Sequence, residues 1–71
     1  MNMYYYFVRY SAYYPKSSEI ASMGYLEIAC RKQISHISEI QHEFVETIRK
    51  TASIPKDIVI MVDFYSLLRI E

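Results

Sequence analysis

Two histidines, one cysteine and three charges set among apolar strand residues are the side chains of this sequence suited to chemistry. His36 and His42 are six residues apart in a segment of helical periodicity, which puts them on different sides of a helix. A zinc site would also need Cys or carboxylate ligands at fixed spacing beside them, so solvated histidines are the plainer reading. Cys30 falls on the inward side of a predicted strand and reads as a small buried hydrophobe rather than a nucleophile. Arg9, Glu27 and Asp63 could form an acid–base set, but a cross-strand ion pair is the simpler role for charges in mid-strand. With one Gly in the chain there is no phosphate-cradling loop. No nucleophile–base pair can be assigned. The expectation is a protein that is not an enzyme and uses no cofactor or metal.

The elements that hold these residues are organised around one helix. Ile37, Ile40, Phe44, Ile48 and Ala52 recur at helical spacing, with Val45 widening the stripe, and predict a helix over Ser35–Ala52. Ser35 or Ser38 can cap it, and Ser38–Gln41 has capping-box spacing. Glu39 and Glu43 come early and Arg49 and Lys50 late, which suits the helix dipole. Pro55 must lie beyond its end. Three strands are predicted: Met3–Tyr13, Ser22–Arg31 and Asp57–Tyr65. Pro15, Lys16, Ser17, Ser18 and Glu19 mark a loop between the first two. Ser66–Glu71 fits either a strand extension or a helical turn.

Pattern also proposes a register for the first hairpin. Opposing numbers that sum to 36 put Val8 against Ile28, Tyr10 against Leu26 and Arg9 against Glu27, with Gly24 facing Ala12. The order strand, strand, helix, strand, closed by a right-handed crossover, gives an α+β domain of ββαβ type. Its three-stranded antiparallel sheet has order 2-1-3, with the helix on one face. The first strand is apolar on both faces and takes the centre.

One helix covers one side of such a sheet. The other side is predicted to carry Tyr5, Phe7, Arg9, Tyr25, Glu27, Met61, Asp63 and Tyr65, with Met23 and Val59. Tyr, Met and Arg are enriched at protein interfaces, and soluble monomers seldom leave a wide apolar patch bare. An ordinary solvated face is the bland alternative. The interface reading makes this face a binding surface for another protein or a second copy, with loop Lys16–Glu19 as a second candidate.

At 71 residues the chain is one small domain with a thin stability margin, so a homodimer would help it most. The 8 basic and 8 acidic residues balance, which argues against phosphate neutralisation and against an acidic nucleic-acid mimic. The Tyr-rich first strand is reminiscent of base-stacking platforms, but no Lys/Arg surround supports direct nucleic-acid binding. A single Cys fits a reduced, cytoplasmic setting. The apolar runs YYYFV and IVIMV are too short to span a bilayer, and Met1–Tyr14 lacks the aliphatic core of a signal peptide.

The layout YYYFVRYSAYY, polar loop, GYLEI, ISHISEIQHEF and IVIMVDFYSL resembles small proteins encoded by bacteriophages and other mobile elements. That resemblance implies one of two functions. The first is a non-enzymatic inhibitor, such as an anti-CRISPR or other anti-defence protein, that occludes a surface of a host complex in the host cytoplasm. The second is an oligomer that sequesters small nucleotide signals. The resemblance carries over no binding residues; on the residues alone, Arg9, Arg31 and Lys32 would hold the anion in such an oligomer.

Overall fold

A computed structural model describes residues 2–71. Strand β1 (Tyr4–Tyr13) pairs antiparallel with β2 (Ile20–Cys30) and with β3 (Val59–Ile70), in the order β2-β1-β3. Helix α1 (residues 37–51) connects β2 to β3 across β1. The predicted α+β topology and strand order are those observed.

The core lies between α1 and the even-numbered side of β1. Tyr6, Val8, Tyr10 and Ala12 are buried there with Ile28, Cys30, Phe44, Val45, Ile48, Ile58 and Ile60. Alternation dictates this, since residues two apart in a strand share a face. The loop after β2 contributes Ile34, whose N–H donates to the Tyr6 hydroxyl at 2.8 Å. That bond gives a buried tyrosine its partner and pins the loop over the sheet.

The hairpin register differs from the predicted one by two residues. Tyr6 faces Ile28, Val8 faces Leu26 and Arg9 faces Tyr25, so opposing numbers sum to 34. A two-residue shift keeps every side chain on its face, so the hydrophobic pattern fits both registers equally. The loop decides between them: Tyr14 N–H donates to Glu19 at 2.9 Å and Ser18 N–H to Tyr14 at 2.8 Å, closing the turn around Ser17. Gly24 therefore faces Tyr10 rather than Ala12, and the Tyr10 hydroxyl lies 2.9 Å from where a Cβ would stand.

The helix departs from a regular spiral. Residues Ile37–Glu39 and Glu46–Thr51 are α-helical, but Ile40–Val45 forms a π-helical turn with i→i+5 hydrogen bonds. The wider turn rotates everything before it relative to everything after it. Phe44, Val45 and Ile48 face the core, whereas Ile37, predicted in the same stripe, is 85% exposed. Ala52 is also exposed, at the helix end. The Ser38–Gln41 capping box does not form; instead Glu39 accepts a bond from Ser35 N–H at 3.2 Å. That bond, with Lys32 and His36 nearby, holds the Glu39 carboxyl below its ordinary range.

At the other end Ile54 N–H reaches back to Arg49 O at 3.0 Å, with Ser53 in the left-handed region at φ 55°. This is a Schellman-type end, in which Gly is the favoured residue. Arg49 Nη1 donates to the carbonyls of Pro55 and Ile58, clipping the return loop to the helix. Ser53→Gly should stabilise the fold by about 0.5–1 kcal/mol, because the substitution relieves the left-handed strain at a position already fixed by its neighbours. Urea unfolding of the variant checks this.

Strand β3 runs to Ile70, so the ambiguous Ser66–Glu71 segment is mostly strand, and Met3 and Glu71 exchange backbone hydrogen bonds at the sheet's end. Two bulges interrupt its pairing with β1, between Arg9 and Tyr10 and between Tyr5 and Tyr6, and each leaves an extra residue on β3. No helix among the described residues is long and apolar enough to cross a membrane.

Candidate protein-binding face

The side of the sheet away from α1 carries the odd-numbered residues of β1 and β2. Across the strands they fall into rows: Tyr5 with Ala29 and Arg69, Phe7 with Glu27 and Ser66, Arg9 with Tyr25 and Phe64, Ser11 with Met23 and Met61. Phe7 lies at the centre, its ring 5.7 Å from Tyr25 and 6.3 Å from Phe64 in the adjacent row, so one aromatic cluster spans all three strands. Tyr25 is 73% exposed and Phe64 48%. Strand backbones hold these rings in place whether or not anything covers them.

Two arginines bracket the aromatics. The Arg9 guanidinium lies 5.9 Å from the Phe64 ring centre, and Arg69 lies 4.3 Å over Tyr5. Arg69 also bridges Glu27 at 2.6 Å and pairs with Glu71. The hydrogen bonds it donates to Glu27 and then to Glu71 push its pKa above the ordinary arginine value, so it is a fixed cation. Glu27 thus pairs with Arg69, not with Arg9 as the sequence suggested. Asp63 accepts a hydrogen bond from Ser11 Oγ at 2.5 Å. Neither Arg9 nor Asp63 takes part in an ion pair among the described residues.

Of the eight residues predicted on this face, Tyr5, Phe7, Arg9, Tyr25, Glu27, Met61 and Asp63 lie on it by register or contact. Tyr65 does not. The bulge beside Asp63 advances β3 by one residue, so Tyr65 turns under the helix against Phe44 at 5.4 Å and Tyr6 at 6.0 Å. Phe64, which strict alternation from Ile58, Ile60 and Val62 turns inward, takes its place outside. Arg69 was also missed, because the segment that holds it had no decided secondary structure. An aromatic pair such as Phe64–Tyr65 at a strand end signals only that one of the two can face either way.

The other candidates are more dispersed. Cys30 is 2% exposed in the core, where burial, then Glu43 and Glu39, push its thiol pKa up and disfavour the thiolate. No group of three or more potential metal ligands occurs among the described residues. Arg9 faces Tyr25, six residues along β2 from Arg31, about 20 Å at strand rise, so one copy does not gather Arg9, Arg31 and Lys32 around an anion. Lys32 instead pairs with Glu39 at 3.7 Å. Loop Lys16–Glu19 is exposed, and Lys16 shares a shallow hollow with Tyr14, Pro15 and Asp57. The chain matches no protein-family model, no curated protein and no solved structure.

Proposed function

We propose that this protein is a non-enzymatic interaction module whose contact surface is the sheet face that α1 leaves open. The observation that carries this reading is the cluster Tyr25–Phe7–Phe64, in which a half-buried Phe7 ring on the central strand is flanked by exposed rings on both neighbouring strands. Aromatic anchors flanked by arginine are the groups that dominate binding energy at protein interfaces. Rings fixed by a sheet lose little freedom when a partner covers them. The resemblance to phage-encoded small proteins supports a host defence complex of the CRISPR–Cas kind as the target. Inhibition would then come from steric occlusion in the host cytoplasm.

The test is Phe7→Asp combined with Tyr25→Asp, compared with wild type in pull-downs from a bacterial host lysate. Loss of two anchors worth about 2 kcal/mol each should abolish capture. The far-ultraviolet circular dichroism should stay native, since neither side chain belongs to the core. A Phe7→Ser, Tyr25→Ser pair controls for repulsion between a new carboxylate and Glu27. Capture by both double variants at wild-type levels would remove the reading.

A further inference from the structure

The open face is built to accept a second copy of itself, and we infer that the protein forms a two-fold dimer through it. This inference rests on the reading of that face as a contact surface and names the occupant.

Charge placement selects the arrangement. A face-to-face dimer needs a two-fold axis lying in the plane between the sheets. An axis along β1 would set Arg9 against the partner's Arg9 and bury like charges together. An axis across the strands, between the Phe7 row and the Arg9 row, makes the two sets of strands antiparallel and lays each Phe7 row on the other copy's Arg9 row. The Arg9 guanidinium then meets the other copy's Phe7 ring, one strand away from that copy's Glu27. Asp63 falls near the other copy's Arg69. The Arg69 cluster holds two carboxylates and one cation, so it has negative charge to spare for an incoming arginine. Arg9 and Asp63, which pair with no charge among the described residues of one copy, both find opposite charges.

Area is sufficient for such a dimer. Ten-residue β1 and its two neighbours give a face of roughly 14 by 33 Å from strand spacing and rise. Two such faces cover about 900 Å² before side-chain relief is added, which brings them near the ~1,200 Å² floor of stable specific interfaces. Interfaces at or below that floor belong to weak, transient complexes, so the dimer should dissociate on dilution.

Sedimentation velocity over a dilution series from near-millimolar to low micromolar concentration tests the inference. Wild type should pass from dimer to monomer. Arg9→Glu and Glu27→Arg should each be monomeric where wild type is dimeric, because each homodimer would contain two like-charge pairs. An equimolar mixture of the two variants should recover the dimer, because their heterodimer restores two opposite-charge pairs. Circular dichroism on each variant confirms that it is folded. A wild type that stays monomeric throughout, or a mixture as monomeric as its components, overturns the inference. Lysate capture that still depends on Phe7 and Tyr25 would then leave the contact-face reading standing with another occupant.

Discussion

Phe44→Ala should cost about 3–5 kcal/mol, the largest loss expected from any single side chain here. Phe44 is 0% exposed and touches both Tyr6, at 5.3 Å, and Tyr65, at 5.4 Å. It is the point at which the π-turn of α1 meets the sheet, and it bridges β1 and β3. Truncation leaves a cavity that flanking tyrosines cannot fill, because Tyr6 is held by Ile34 and Tyr65 by the strand. A chain of 71 residues has roughly 4–11 kcal/mol of total stability at typical values per residue, so the variant should be close to unfolding. Ile37→Ala is the contrast. It removes an aliphatic of the same predicted stripe, yet Ile37 is solvent-exposed, and the change should stay within about 0.5 kcal/mol. Denaturant midpoints of the two variants, measured side by side, check the pair. Equal losses would mean that the helix presents its stripe as a regular α-helix does.

That contrast marks where sequence reading reached and where it stopped. Strands with strong β-branched and aromatic content, a capped amphipathic stretch and a Pro boundary all point to ββαβ, and each signal is local. The π-turn is not local in this sense. Ile37, Ile40 and Phe44 have flawless helical spacing, and only the fit of Phe44 and Val45 against the sheet rotates Ile37 away. Tertiary packing overrode a correct periodicity. The hairpin register failed for a different reason. Registers of sum 34 and sum 36 place the same residues on the same faces, so hydrophobic pattern carries no information about the choice. Arg9 opposite Glu27 looked decisive, but Glu27 had a stronger partner in Arg69, a residue 42 positions away on another strand.

The face itself was legible because β1 and β2 alternate without interruption from Tyr4 to Ala12 and from Ser22 to Cys30. Its composition on β3 was legible only up to Val62. A bulge adds one residue that pattern cannot see, and the residues from Phe64 to Leu67 change sides relative to strict alternation until the second bulge restores it. Phe64 and Tyr65 exchange roles for that reason alone. The aromatic cluster that crosses the sheet, the main feature of the proposed contact surface, exists because of a single unpaired position.

Deleting Asp63 should therefore be tolerated, whereas deleting Met61, two residues earlier, should not. Without Asp63 the ladder becomes regular: Val62 still faces Tyr10 beneath the helix, Phe64 still faces Arg9 outside, and Tyr65 still faces Val8 inside. The cost is the hydrogen bond from exposed Ser11, about 0.5–1.5 kcal/mol, offset by recovered pairing. Removing Met61 offers only poor solutions. If the bulge stays, Ile60 and Ile58 swing out of the core and Val59 swings in, at a cost of several kcal/mol for the two buried isoleucines. If the bulge is absorbed, Val62 moves outside and the Asp63 carboxylate takes its place under the helix without a partner, at a comparable penalty. The deletion lacking Met61 should lose cooperative thermal unfolding, while the one lacking Asp63 melts within a few degrees of wild type. It should also keep the Phe7–Phe64 contact, visible as a nuclear Overhauser effect between their ring protons. Two deletions that behave alike would mean that β3 has no bulge at this position, and Phe64 would then belong under the helix after all.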